Sequence, residues 1–153
     1  MGVSMSEPEP LRLRAEDTED LEVVSACLQD AIVRVGDMAF LPKERRFVLA
    51  LTRFRWEAEG AAGGRFQHFR VPCGVHFNDV LEVQIQGFDQ QDHDRVLELL
   101  ALTYSVDPDG YLRIVFAFAG AATLRLRCEC ISASLRDLGP EFKVPVKPVH
   151  RVR

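Results

Sequence analysis

A chain of 153 residues, 47% apolar and with a formal net charge of −4, has the size and composition of one folded domain with an ordinary core. That apolar content excludes a disordered chain, and the acidic balance argues against a dedicated nucleic-acid binder, which is usually basic. No apolar run approaches the roughly 18 residues that a membrane-spanning helix needs, and the first residues lack the basic-then-apolar order of a secretory signal. The expected setting is therefore a reducing cytoplasm, with free thiols at Cys27, Cys73, Cys128 and Cys130.

Residues 1–10 carry alternating Glu and Pro (Glu7 to Pro10) and read as a tail. Leu11 and Leu13 alternate with Arg12 and Arg14, the pattern of a short edge strand. A helix follows within residues 15–31. Asp17 or Thr18 can cap it, acidic residues fill its first turn, and Leu21, Val24, Leu28 and Ala31 form one apolar face. From Ile32 the chain turns β-branched. Met38–Leu41 and Phe47–Phe54 read as strands around the polar turn 42–46, with a bulge or bend at Gly36-Asp37. The Gly/Ala-rich stretch 59–64 offers nothing to bury and reads as a loop.

Residues 75–85 form further strand, broken at Asn78-Asp79, and residues 89–94 a polar loop. Residues 96–106 and 111–118 flank Asp107-Pro108-Asp109-Gly110. In that turn proline presets φ, aspartate bonds nearby backbone and glycine accepts positive φ. The next strand, 123–130, puts Leu124, Leu126, Cys128 and Cys130 on one parity and Arg125, Arg127 and Glu129 on the other. Both late cysteines are expected to continue the apolar stripe, as free cysteine is a small hydrophobe. Residues 131–138 fit strand or short helix, and the Pro-rich end, 143–153, is expected to be extended, lying over the sheet or pairing with another chain.

Two residue sets carry candidate chemistry. Lys43, Arg45 and Arg46 share one turn, and arginine forks hold phosphate or other anions well. Arg53 and Arg55 follow with Phe54 and Trp56 between and beside them, and Arg113, Arg125 and Arg127 form a second basic stripe on the outer sheet face. His68, Cys73 and His76 have the residue types of a metal site, but strand parity sets Cys73 and His76 on opposite faces, so no metal is assigned. Asp92, His93 and Asp94 adjoin in sequence without a positioned nucleophile. No catalytic residue and no cofactor is assigned, and the balance leans away from an enzyme.

The stretches Leu28-Gln29-Asp30-Ala31, Leu41-Pro42-Lys43-Glu44-Arg45-Arg46-Phe47 and Asp137-Leu138-Gly139-Pro140 resemble a bacterial, mainly alphaproteobacterial, family known only as a domain of unknown function. The resemblance runs from Leu11 to Phe142. It implies a bacterial, cytoplasmic protein and brings no activity, cofactor or catalytic residue.

The expected fold is α+β: an N-terminal helix packed on a mainly antiparallel sheet of about six or seven strands, with a barrel as the closed alternative. The domain spans 11–142, between the tails 1–10 and 143–153. Residues 48–56 and 97–106 are apolar on both parities, which suits a doubly covered strand or one facing a partner. The leading functional expectation is a non-catalytic interaction or adaptor module with a protein partner, including a homodimer through a sheet edge or apolar face. The alternatives are an anionic-ligand module using Lys43, Arg45 and Arg46, and a small metal-assisted enzyme near His68, Cys73 and His76. Membrane and nucleic-acid partners are not expected.

Overall fold

The computed structural model describes residues 10–58, 68–145 and 148. Strands run β1 Arg12–Ala15, β2 Ile32–Leu41, β3 Arg46–Phe54, β4 His68–Phe77, β5 Val80–Gln86, β6 Val96–Val106, β7 Leu112–Phe118, β8 Ala122–Cys128, β9 Ala133–Asp137 and β10 Phe142–Val144. Among the described residues one helix, α1 Thr18–Leu28, and a 3-10 turn at Trp56–Ala58 complete the elements. No described helix is long and apolar enough to cross a membrane. Of the expected tails 1–10 and 143–153, residues 1–9, 146–147 and 149–153 lie outside the described residues, as does the 59–64 loop.

All strand pairs are antiparallel, in the order β1-β9-β4-β3-β2-β6-β7-β8-β5, with β10 also on β4. The path does not return on itself, so the barrel alternative fails: the end strands β1 and β5 do not pair, and β5 does not pair with β2 either. The count also exceeds the six or seven strands expected. Residues 133–137 settle as strand because they fit between β1 and β4, gaining ladders on both sides. Residues 142–144 pair with the chain's own β4.

Local chemistry accounts for the ends of the elements. Asp17 accepts a hydrogen bond from the Asp20 N–H (2.8 Å), satisfying one orphan donor of α1. Leu21, Val24 and Leu28 are its buried face. At the β6–β7 turn, Asp107 Oδ1 accepts from the N–H groups of Asp109 and Tyr111, both at 2.9 Å, and Oδ2 accepts from Arg127 Nε at 2.9 Å. One side chain thus ties the turn to β8. Arg127 also lies over the Tyr111 ring.

The inward parities of both sheet halves meet in one core with α1. Phe116 centres an aromatic group, edge-on to Phe77 (5.5 Å) and Phe47 (6.3 Å). Cys128 belongs to this core, as its parity predicts. Cys130 does not: it is exposed, with Sγ 3.3 Å from Asp79 Oδ2. The ladder of β8 ends at Cys128, and two-residue alternation has no meaning once the backbone bends away.

Candidate functional site

The unclosed sheet leaves a bounded seam between β2 and β5. The cause is the bulge in β2, whose pairing with β3 shifts between Val33 and Met38. Before the bulge, Ile32, Val33 and Arg34 pair with β6; after it, β2 runs on without a strand on that side. Gly36 makes the bend possible. Its N–H donates to His93 O (2.9 Å), and a Cβ there would lie 3.0 Å from that same oxygen.

Hydrogen bonds close the seam at both ends. Val35 N donates to Arg95 O (2.9 Å) at one end, and Val80 N donates to Arg45 O (2.8 Å) at the other. Between these ties lies a pocket of about 290 Å³, lined by Met38 and Phe40 from β2, Val83 and Ile85 from β5, and the core side chains Phe47 and Leu124 at its base. Pro42 and Gln90 stand among its lining residues. The lining side chains are apolar apart from Gln90, while about half of the surface they present is polar, a mix that suits an apolar anchor with polar groups around it.

The turn Lys43, Arg45 and Arg46 sits at one end of this seam. Arg45 has a positive φ (51°), and its guanidinium meets Glu129 Oε1 at 2.8 Å. Arg46 Nε donates to Asn78 Oδ1 at 3.1 Å, and Lys43 is exposed. The three cations therefore diverge, and two are engaged in tying the turn to its neighbours. His68, Cys73 and His76 also fail to converge. Cys73 is fully buried on the inward parity of β4, while His68 and His76 take the outward parity. Burial, and then the nearby Asp137 carboxylate, push the Cys73 thiol up to about 12. Among the described residues no group of three or more His, Cys, Asp or Glu is placed to hold a metal.

The residue that sequence reasoning misplaced is Arg53. It reads as part of a basic, aromatic surface, yet it is fully buried. Asp137 forks it from one side (Nε to Oδ1 2.9 Å, Nη2 to Oδ2 3.0 Å) and Glu57 from another (Nη1 to Oε2 3.0 Å, Nη2 to Oε1 2.7 Å). Asp137 Oδ2 also accepts from Leu11 N at 2.8 Å, and Arg55 pairs with Glu57 and Glu141. Burial alone would raise the Glu57 carboxyl, but hydrogen bonds and attraction from Arg53 prevail and hold it at about 2. This lock joins β1, β3 and β9. Arg53 and Asp137 lie 84 residues apart in the chain, a pairing that no local pattern announces.

Residues 11–150 match the family described as "Protein of unknown function (DUF2948)". The chain belongs to that family. No curated protein and no solved structure matches it. In this DUF2948 domain the three stretches that carried the resemblance hold structural posts. Gln29 O accepts from Trp56 Nε1 (3.0 Å), and Asp30 N donates to Leu99 O (2.8 Å). The 41–47 turn closes one end of the seam through Arg45 O. Asp137 forms the lock, and Leu138 N donates to Pro72 O (2.8 Å).

Proposed function

We propose that this domain is a non-catalytic interaction module that receives one apolar, ring-sized side chain of a partner protein in the seam between β2 and β5. The observation that carries this reading is the seam itself, a pocket lined largely by apolar side chains, bounded at both ends and reaching core side chains between the unpaired β2 and β5. Its 290 Å³ corresponds to roughly ten groups of water size, at the ~30 Å³ each occupies in the liquid, which suits a single aromatic anchor. Anchors of that kind, set in a desolvated pocket, dominate protein–protein recognition. The backbone of β2 after its bulge and the outer edge of β5 flank the pocket, ready to hold the extended chain on either side of the anchor.

Indole serves as the probe of the anchor. A fragment of this size is expected to bind with a Kd on the order of 1 mM, near −4 kcal/mol. At ten times that Kd, linkage stabilises the fold by about 1.4 kcal/mol and raises Tm by about 3–6 °C. Val83→Trp, which fills the pocket from its own wall, is expected to keep or raise the unliganded Tm and to abolish the indole-induced rise. An unchanged Tm of the parent protein in about 10 mM indole, or an equal rise in the filled variant, would remove the seam from consideration.

A further inference from the structure

The outer face of β1, β9, β4 and β3 carries a second feature, independent of the seam. Register places Arg12 directly opposite Arg136, and Arg136 opposite Gly74, which faces Ala50. The adjacent row is Arg14, Ser134, His76 and Val48. Small and apolar side chains floor a shallow basin of about 440 Å³, with Arg136, Ser134 and His76 among its lining and Arg12 and Arg14 outside it on β1. Leu138 leans over its floor, where a Cβ on Gly74 would meet Leu138 Cδ1 at 3.3 Å. Arg46, bonded to Asn78, stands at the next row.

The opposed arginines need explaining. Asp137 N donates to Leu11 O (3.0 Å), so the next pair along, Arg12 with Arg136, is of the type whose side chains lie closest. Like charges directly opposite each other on a sheet are destabilising. Arg12, Arg14 and Arg136 are all exposed, and none forms an ion pair among the described residues. Among the described residues the one acid lining the basin, Asp37, is bonded to Arg34. The positive field reaches the floor: burial first, then Arg46 and Arg14, lower the pKa of His76. The free domain thus carries a local repulsion that a bound anion would relieve.

We propose that the β1–β9 edge beside this basin is a binding site for a phosphate group, held between Arg12, Arg14 and Arg136 with the Ser134 hydroxyl as a further donor. Phosphate fits better than carboxylate because three arginine forks and a hydroxyl offer more donors than two carboxylate oxygens can accept.

The test titrates the full chain with inorganic phosphate and, separately, with acetate at low ionic strength, following binding by calorimetry and folding by Tm. Phosphate is expected to bind, and to weaken as salt screens the site. Arg12→Gln and Arg136→Gln are each expected to weaken it by about tenfold or more, from the loss of one charge-assisted hydrogen-bonding group. Arg125→Gln, on the other half of the sheet, is expected to change nothing. Arg136→Gln is further expected to leave Tm equal or higher, because it removes a repulsion. Undiminished phosphate binding in both basin variants would overturn the proposal, as would a Tm loss of several degrees in Arg136→Gln. Acetate binding as tightly as phosphate would overturn the assignment to phosphate.

Discussion

Removing Asp137 tests the lock that holds β9 in place. Its side chain is 5% exposed and accepts three hydrogen bonds, two from Arg53 and one from Leu11 N. Asp137→Ala leaves a fully buried guanidinium with half its partners and a backbone N–H with none. Breaking a buried pair from one side costs roughly 3–5 kcal/mol. Glu57 still forks Arg53, which puts the expected loss at the lower end, about 3 kcal/mol. A domain of this size holds about 5–15 kcal/mol, so the variant still folds. Tm is expected to fall by about 6–12 °C, read by circular dichroism with urea unfolding as the equilibrium check. The decisive comparison is the double variant Arg53→Met with Asp137→Leu. Apolar replacement of both partners removes the stranded charge, so the double variant should be more stable than Asp137→Ala alone. A loss under about 1 kcal/mol for Asp137→Ala, or a double variant less stable than the single, would show that the buried pair does not hold β9 in place.

Glu57 has a folded pKa of about 2 against an ordinary 4.5, so its contribution is complete above about pH 4.5 and is lost as pH falls towards 2. Urea midpoints measured down that range should show a slope that flattens in Glu57→Gln; an unaltered slope would contradict the assignment. Under native conditions a thiol reagent should modify exposed Cys130 readily, while Cys73 and Cys128, buried and both pushed up to about 12 chiefly by burial, react only on unfolding. Rapid modification of Cys128→Ser protein at Cys73 would contradict that picture. Gly87 has φ +83°, and a Cβ there would lie 2.6 Å from Ala121 O and 2.9 Å from Ala122 Cα, whereas Gly110 at φ +87° has open space around it. Gly87→Ala should therefore cost distinctly more than the roughly 1 kcal/mol of backbone strain expected for Gly110→Ala, and equal costs in urea unfolding would show that the close approach is immaterial.

Much of this fold is legible in the sequence because one physical rule, two-residue alternation, separates the faces of most strands. Residues 112–118 and 122–128 follow it throughout, and the Asp107 turn between β6 and β7 announces itself by residue type. The rule fails where the ladder ends. Cys130 keeps the parity of Cys128 in the sequence, but nothing local marks the bend after Cys128. Charge misleads at Arg53, because a buried cation is recognisable only through partners distant in the chain. Three-residue β10 is too short to carry a period, and it forms because β4 presents an edge to it. The seam has no signature of its own. It arises from a bulge in β2, which Gly36-Asp37 does signal, and from the spacing of two strands far apart in the chain, which nothing signals. The basic basin is half visible. Arg12 and Arg14 stand out in alternation, but only the register of β1 on β9 brings Arg136 opposite Arg12.

The most direct measurement of the seam's role is a methyl NMR titration of the full chain with indole, with peaks assigned across both sheet halves. Binding in the seam should give progressive, saturable shifts concentrated at Met38, Val83, Ile85 and Leu124, the side chains around the pocket, with Leu135 and Val24 on distant elements unmoved. Shifts scattered evenly over the surface, or none at the pocket methyls up to about 10 mM indole, roughly ten times the expected Kd, would contradict it.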